Sequence, residues 1–416
     1  MSKSSEPAQT STDRAEAVRA FYERHPYPAP IESFEKRLDL YRDPRRRRAQ
    51  SLLLWPLEKP RADRTILVAG CGTSQAARHA LSEPDASVTG IDISETSLSH
   101  TRALKDKHDI GNLRLERLAI ERVRELGETF DQIVCTGVLH HLSDPDAGLK
   151  ALRDILAPGG AMHVMVYAPY GRAGVAMMQA YCRLLEVGVR DDELSDLGAT
   201  IKALAPDHPI AGVLKRAKDF AQPDALADAL LNPRERAYSA PEIHDWLDRC
   251  GLTFGRWHEQ APYLPQCGAI ARTPHAARLG ALPPRAQHAA MELLRGTMDR
   301  HSFVAYRRDR ALAAQPVAFT GDGWRDFVPV RLPWTLTVKD RAPRGVAAVL
   351  INPVHTYPDL AFFIDTAEER VFGRIDGERS AGELLRSAGM SDENGRQFFK
   401  RLWEHDLVVF DAKRPL

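Results

Sequence analysis

What the 416-residue chain lacks excludes more than its composition asserts. Its five cysteines, Cys71, Cys135, Cys182, Cys250 and Cys267, are odd in number and show no paired metal-ligand spacing, which disfavours both a disulfide framework and a zinc ribbon. No run of eighteen apolar residues occurs, and the start MSKSSEPAQTSTDRAE has no apolar signal core. These absences predict neither export nor membrane insertion, and so a reduced, cytoplasmic protein. Charge of either sign is also missing in excess: 57 Lys and Arg oppose 56 Asp and Glu, for a net charge of +1. No overall field then favours nucleic acid or an anionic membrane. There is no GxSxG nucleophile turn, and His140-His141 are adjacent and cannot easily share one ion, so no metal site is expected.

The chain is organised around residues 65–92, TILVAGCGTSQAARHALSEPDASVTGID. Thr65 to Ala69 is short, apolar and β-branched, as a parallel strand buried on both faces should be. Gly70-Cys71-Gly72 then lets the chain turn sharply and leaves bare backbone for a ligand. A helix from about Gln75, with Ser74 as its expected cap, offers unpaired amides at its start. A second apolar strand, Ser87 to Ile91, delivers Asp92 twenty positions after Gly72, the spacing at which a carboxylate takes the hydroxyls of a bound ribose. A third glycine is missing. Gln75 stands where a dinucleotide fingerprint needs it and is too large for close pyrophosphate approach, so the ligand should lack a pyrophosphate. An adenosyl ligand meets that condition; a nicotinamide cofactor does not.

Further along, Leu113 to Leu115 reads as a third strand and Phe130 to Cys135 as a fourth, followed by Thr136-Gly137-Val138-Leu139-His140-His141-Leu142. Asp144-Pro145 supplies an N-cap and a first-turn proline for a helix with Leu149, Leu152, Ile155 and Leu156 on its buried stripe. Ala157-Pro158-Gly159-Gly160 is expected to stop that helix before a fifth strand, Ala161 to Tyr167. Residues 171 to about 236 read as several helices, with Met177, Met178, Tyr181, Leu184 and Leu185 on one face, for which core packing is the commoner cause. A helix from Ser239 to Arg249 and strands at Leu252 to Trp257 and His301 to Tyr306 complete a seven-stranded sheet. Arg45 to Arg48 reads as the solvated face of a helix anchored by Leu52, Leu53, Leu54 and Trp55.

The GCGT turn, Asp92, the FDxIxxxxVLHHL pattern at 130–142 and the LxPGG element at 156–160 together resemble the class I S-adenosylmethionine-dependent methyltransferases. FYERHPYP at 21–28 is similar to the NPYP-like element of a bacterial subgroup of that family. The resemblance implies S-adenosyl-L-methionine held by Gly70, Cys71, Gly72, Thr73, Asp92, Ile93, Thr136, Gly137 and Val138. It implies an N-terminal helical lid bearing Tyr22 and Tyr27, which would also meet the acceptor. Two positions depart from the family: the first strand ends in Ala69, and the adenine edge near Ala119-Ile120 has no acid. His141 and His140 are candidate general bases, since histidine titrates near neutrality, or else packing residues. Tyr167 and Arg172, at the end of the fifth strand, are placed at the acceptor, with pairing to an acid as the alternative for Arg172.

The fold expected is an α/β, doubly wound Rossmann-like methyltransferase sheet. Residues 1–60 form a disordered start to about residue 13 and the helical lid. Residues 61–310 form the methyltransferase domain, with the insertion at about 171–236. Residues 318–416 form a small α+β, winged-helix-like unit whose IDGERSAGELL stretch resembles small domains that hold peptides in modified-peptide biosynthesis. That unit is expected to fold by itself, so that a chain ending near Arg310 keeps the cofactor, and to serve acceptor docking or a homodimer. The acceptor would be a small molecule or peptide. A non-catalytic scaffold that binds S-adenosylmethionine is the alternative to an enzyme.

Overall fold

A computed structural model of the chain describes residues 11–58, 61–216, 220, 222–309 and 317–412, with the backbone alone for 11–15. The expected disordered start lies outside the described residues as far as residue 10, and residues 11–13 belong to helix α1 (Ser11–Arg24). Helices α2 (Leu38–Arg42) and α3 (Pro44–Leu54) follow. The central sheet is built from β1 (Thr65–Ala69), β2 (Ser87–Asp92), β3 (Leu113–Arg117), β4 (Phe130–Thr136), β5 (Leu156–Tyr167), β6 (Leu252–Trp257) and β7 (Arg300–Arg307). Their order is β3-β2-β1-β4-β5-β7-β6, with β7 antiparallel to both its neighbours and the pairs from β3 to β5 parallel.

The apolar run of β1 fills both faces of this sheet. Leu67 and Ala69 join Ile91, Ile133 and Cys135 on one side, while Ile66 and Val68 join Ala76, Ala80 and Val88 on the other. That alternation is the period-2 placement of a strand sandwiched between helix layers. The layers are α4 (Gln75–Ser82), α5 (Glu95–Lys107) and α6 (Pro145–Asp154), then the insertion helices α7 (Ala173–Leu184), α8 (Asp191–Lys202), α9 (Ala211–Arg216) and α10 (Pro223–Leu231), then α11 (Ala240–Arg249), α12 (Ala276–Gly280) and α13 (Pro284–Arg295).

Three local readings are corrected. Helix α6 ends at Asp154, and the Pro-Gly-Gly expected as its stop lies within β5. Leu156 pairs with Phe130 and Ala161 with Gln132, so residues 157–160 bulge out of the ladder where Pro158 has no amide to give. On α7 the buried stripe is Val175, Met178 and Cys182. Met177, Tyr181, Leu184 and Leu185, read as core, are exposed, because the true stripe is rotated around the helix from the one inferred. The C-terminal unit, where the sequence alone reads Val371-Phe372 as extended and two helices after it, has three helices, since Val371-Phe372 lies inside α14 (Thr366–Gly373), ahead of α15 (Ala381–Ala388) and α16 (Asp392–Glu404).

These helices share a core with a ladder of β8 (Val328–Arg331) and β12 (Val408–Asp411) and a sheet of β9 (Leu336–Val338), β10 (Ala348–Ile351) and β11 (Phe362–Ile364). The unit is not tethered loosely. Ala49, Leu52 and Leu53 of α3 pack with Val330, Leu332 and Val409. Buried Asp406 accepts from Arg256 Nη2 at 2.8 Å, from the Ala261 amide at 2.9 Å, and lies 3.1 Å from His355 Nε2. Removing residues beyond Arg310 would uncover Leu52 and Leu53 and strip Arg256 of its counter-charge, which argues against the expectation that the sheet survives without its tail. Among the described residues no helix is long and apolar enough to cross a membrane.

The seam makes a direct prediction. Asp406→Ala leaves Arg256 buried without its partner, a change that costs about 3 to 5 kcal/mol. Urea unfolding of the variant checks this; a loss below about 1 kcal/mol would show that the ion pair does not hold the two units together.

Candidate functional site

The carboxyl ends of β1, β2, β4 and β5 open into one cavity of about 560 Å³, roofed by α1 and the insertion. Its floor is the turn after β1. Gly70 and Gly72 have φ of +67° and +54°, and a Cβ on Gly70 would come within 2.4 Å of Val138, so the turn admits no larger residue there. Gly70, Cys71 and Gly72 border the cavity, as do Ile93, Thr136, Gly137 and Val138.

Asp92 sits at the end of β2 with its carboxylate between two amides. Oδ2 accepts from Gly72 N at 2.8 Å and Oδ1 from Ser94 N at 2.9 Å. Burial raises its pKa, opposed by the amides of Ser94 and Gly72. Each oxygen accepts one bond and keeps a further lone pair, and the residue borders the cavity. Gln75, whose size argued against a dinucleotide, also borders the cavity and reaches Thr136 Oγ1 through Nε2 at 2.5 Å.

Thr73 is corrected from a cofactor contact to a brace. It is buried, does not border the cavity, and donates to the Pro28 carbonyl at 2.8 Å, tying the turn to the segment after the lid helix. Ser74 precedes α4 but makes no side-chain capping bond. The adenine edge without an acid at Ala119 has Glu121 two positions on, also at the cavity wall.

The two histidines part company. His140 is fully buried, packs at 4.1 Å between ring centroids against Tyr167, and has no hydrogen bond to either nitrogen. Burial pushes its pKa well below the ordinary value, so it stays neutral and inside. The structure does not bring it to the cavity, and its place as a candidate base is withdrawn on that ground. His141 does border the cavity. Its Nδ1 lies 2.6 Å from the Arg234 carbonyl, which can only accept, so Nδ1 carries the proton in the neutral ring and Nε2 keeps a lone pair.

Tyr167 and Arg172 both border the cavity. Arg172 is committed to Glu235 at 2.8 and 2.9 Å, and its guanidinium carbon lies 3.6 Å from the centroid of the Tyr167 ring. It is therefore a neutralised buried pair that holds Tyr167 in place, the acid-pairing alternative rather than an open anion receptor.

The lid is held by three contacts that sequence reasoning missed. Glu23 accepts from the Glu95 and Thr96 amides, both at 2.9 Å, and so caps α5 from another element. Tyr22 donates to Asp228 Oδ1 at 2.8 Å and accepts from Asn232 Nδ2 at 3.0 Å. His25 Nδ1 lies 2.9 Å from Asp224 Oδ1. Asp224 and Asp228, four apart on α10, share one face, yet nothing in the sequence says that α1 meets it. Tyr22 and Tyr27 border the cavity beneath this latch.

Residues 67–162 match the family model of a methyltransferase domain. The chain is 35% identical over 208 residues to an uncharacterized protein of Synechococcus sp., covering 48% of this chain and 50% of that one. It is 35% identical over 88 residues to cyclopropane mycolic acid synthase 2 of Mycobacterium bovis, covering 21% of this chain and 28% of that one. The chain thus spans about half the length of the Synechococcus relative and less of the synthase. Among solved structures, PKMT2 from Rickettsia typhi in complex with AdoHcy shares the fold, with a TM-score of 0.61 at 17% identity over 91% of this chain and 75% of that one.

The Glu23 clamp carries a pH signature. Burial alone would raise its carboxyl, but the amides of Thr96 and Glu95 outweigh that and hold it at about 2, against an ordinary 4.5. A folded pKa below the unfolded one contributes stability above about pH 4.5 that fades as the pH falls towards 2. Glu23→Gln should cost about 1.5 to 3 kcal/mol at neutral pH and flatten the stability profile between those limits. Parallel profiles for the two proteins would show that the clamp adds nothing.

Proposed function

We propose that the protein transfers the methyl group of S-adenosylmethionine to a small-molecule or peptide acceptor. The observation that carries this reading is a single cavity with the Gly70–Gly72 turn and Asp92 at one end and His141 and Tyr167 at the other. The match of residues 67–162 to a methyltransferase domain supports it.

S-adenosylmethionine, when bound, supplies a methyl group activated by its sulfonium. The chain does the rest. Asp92 takes the ribose hydroxyls with its remaining lone pairs, backbone of the glycine turn lies against the amino-acid moiety, and Thr136 to Val138 form the wall between cofactor and acceptor. Lid and insertion exclude water and align the acceptor, which supplies much of the acceleration in a transfer of this kind. His141 receives a proton through Nε2 where the acceptor must release one. A non-catalytic scaffold has the departures at Ala69 and Ala119 in its favour, and the turn, the acid and the histidine meeting at one cavity weigh more heavily against it.

The C-terminal unit fits acceptor docking better than dimerisation. Its Val354, His355 and Tyr357 line a second hollow of about 70 Å³ whose other wall includes Asp299 and Arg300, and those two residues also border the main cavity.

Two variants test this reading. Asp92→Ala removes charge-assisted hydrogen bonds of roughly 1.5 to 3 kcal/mol each and should weaken S-adenosylmethionine binding at least about tenfold in calorimetry. The wild type should show no heat with NAD. Unchanged affinity in a folded variant overturns the cofactor assignment. His141→Ala should slow turnover while leaving cofactor affinity in place; equal turnover would reduce His141 to a shaping residue.

A further inference from the structure

We propose that the acceptor end of the cavity is built for a nitrogen nucleophile, an amine, and that Asp228 is the group that binds it; this rests on the methyltransferase reading above. Asp228 is only 2% exposed, yet it borders the cavity. Its Oδ1 is taken by the Tyr22 hydroxyl and the Asn232 amide, and its Oδ2 has no hydrogen bond among the described residues. Both partners are neutral donors, and among the described residues the carboxylate has no ion-pair partner. A buried charge in that condition is costly unless a ligand completes it.

The other acids at the cavity wall are committed or lie elsewhere. Glu16 pairs with Arg19, Asp299 with Arg216 at 3.2 Å, and Asp92 with two amides. Glu121 is exposed at the adenine end beside Ala119. Arg172, the buried cation at the wall, is neutralised by Glu235. Arg78 of α4 and Arg300 of β7 also border the cavity, but neither forms an ion pair with Asp228, so the carboxylate itself keeps a negative charge that favours an ammonium beside it over a carboxylate or phosphate.

The rings around Asp228 point the same way. Tyr22 stands edge-on to His141 with centroids 6.2 Å apart, and His141 edge-on to Tyr167 at 6.0 Å. Phe220 adds a further aromatic surface. Aromatic faces with one carboxylate are a receptor for a cation. The Asp228 carboxylate, hydrogen-bonded to Tyr22 through Oδ1, and the His141 ring, edge-on to Tyr22, each bring one further acceptor, Oδ2 and Nε2. A primary amine has two N–H groups for them, whereas a hydroxyl has one and would leave an acceptor bare. With its N–H groups so held, the nitrogen lone pair is left for the methyl. The balance is simple: the ammonium first yields its third proton to water, Asp228 and His141 keep the other two N–H groups, and the nitrogen lone pair then forms the N–CH₃ bond. The S–CH₃ electron pair stays on sulfur as a neutral thioether, and the methylated ammonium carries the charge.

Three probes of one shape test the proposal on the full chain: benzylamine, benzyl alcohol and benzoate, ranked by ligand-observed NMR with and without S-adenosylhomocysteine. Benzylamine should bind at least about tenfold more tightly than the alcohol, with benzoate weakest. Asp228→Asn should erase that preference and leave S-adenosylhomocysteine affinity within about twofold, whereas Tyr22→Phe, which keeps the carboxylate, should retain the preference. The alcohol or benzoate matching the amine in the wild type overturns the proposal even if Asp228→Asn fails to fold. So does an Asp228→Asn protein that keeps the preference, or one that loses S-adenosylhomocysteine binding, which would assign the carboxylate to the cofactor. Failure of the wild type to bind S-adenosylhomocysteine would count against methyl transfer instead, and the ranking without it would still decide the amine question.

Discussion

The architecture of the site depends on one carboxylate between two amides. Asp92 receives Gly72 N and Ser94 N on separate oxygens and thereby joins the turn after β1 to the start of α5. Both connections are short, and both leave the sheet at its carboxyl edge, where open α/β sheets gather ligands. The bridge adds to the bonds that Cys71 N makes to Ile91 O and Thr101 Oγ1 makes to Gly72 O, and together they hold Gly70 and Gly72 in the left-handed region. Burial works against ionisation of Asp92, and the amides work for it. The same group is thus at once a structural tie and the polar feature best placed for a ribose.

Around that tie the lid is assembled from charges that terminate helices. Glu23 of α1 caps α5, which begins immediately after Ser94, while Tyr22 and His25 engage Asp228 and Asp224 of α10. The lid therefore touches the cofactor side through Glu23 and the insertion side through Tyr22, and Thr73 adds a third hold through the Pro28 carbonyl. A helix attached at both sides transmits the position of the insertion to the glycine turn.

Much of this was legible in the sequence because periodicity and turn chemistry are local. The β1 run, the glycine turn, the acid ending β2 and the Asp144-Pro145 helix start each follow from residues within a few positions of one another. What was not legible depends on which faces meet. Asp228 reads as an ordinary helix acid until α1 is laid against α10. His140 and His141 are indistinguishable as letters, yet one is sealed inside against Tyr167 and the other faces the cavity. The misplaced α7 stripe is the same failure: several apolar residues within a dozen allow more than one face, and only the neighbours of Val175, Met178 and Cys182 choose between them.

The acceptor-docking role proposed for the C-terminal unit rests on one buried ion pair. Asp406 is buried with Arg256 of β6, and the loop that carries His355 is fixed to the same carboxylate. That loop supplies Val354 and Tyr357 to a hollow continuous with Asp299 and Arg300, at the mouth of the main cavity. A buried ion pair is a poor source of net stability but a good source of registry, because any slip leaves a charge unpaired. Its position here sets the distance between the loop and the sheet edge. On the docking proposal, an acceptor longer than the cavity passes Arg300 and meets Tyr357, and the pair that fixes the seam then also places that contact.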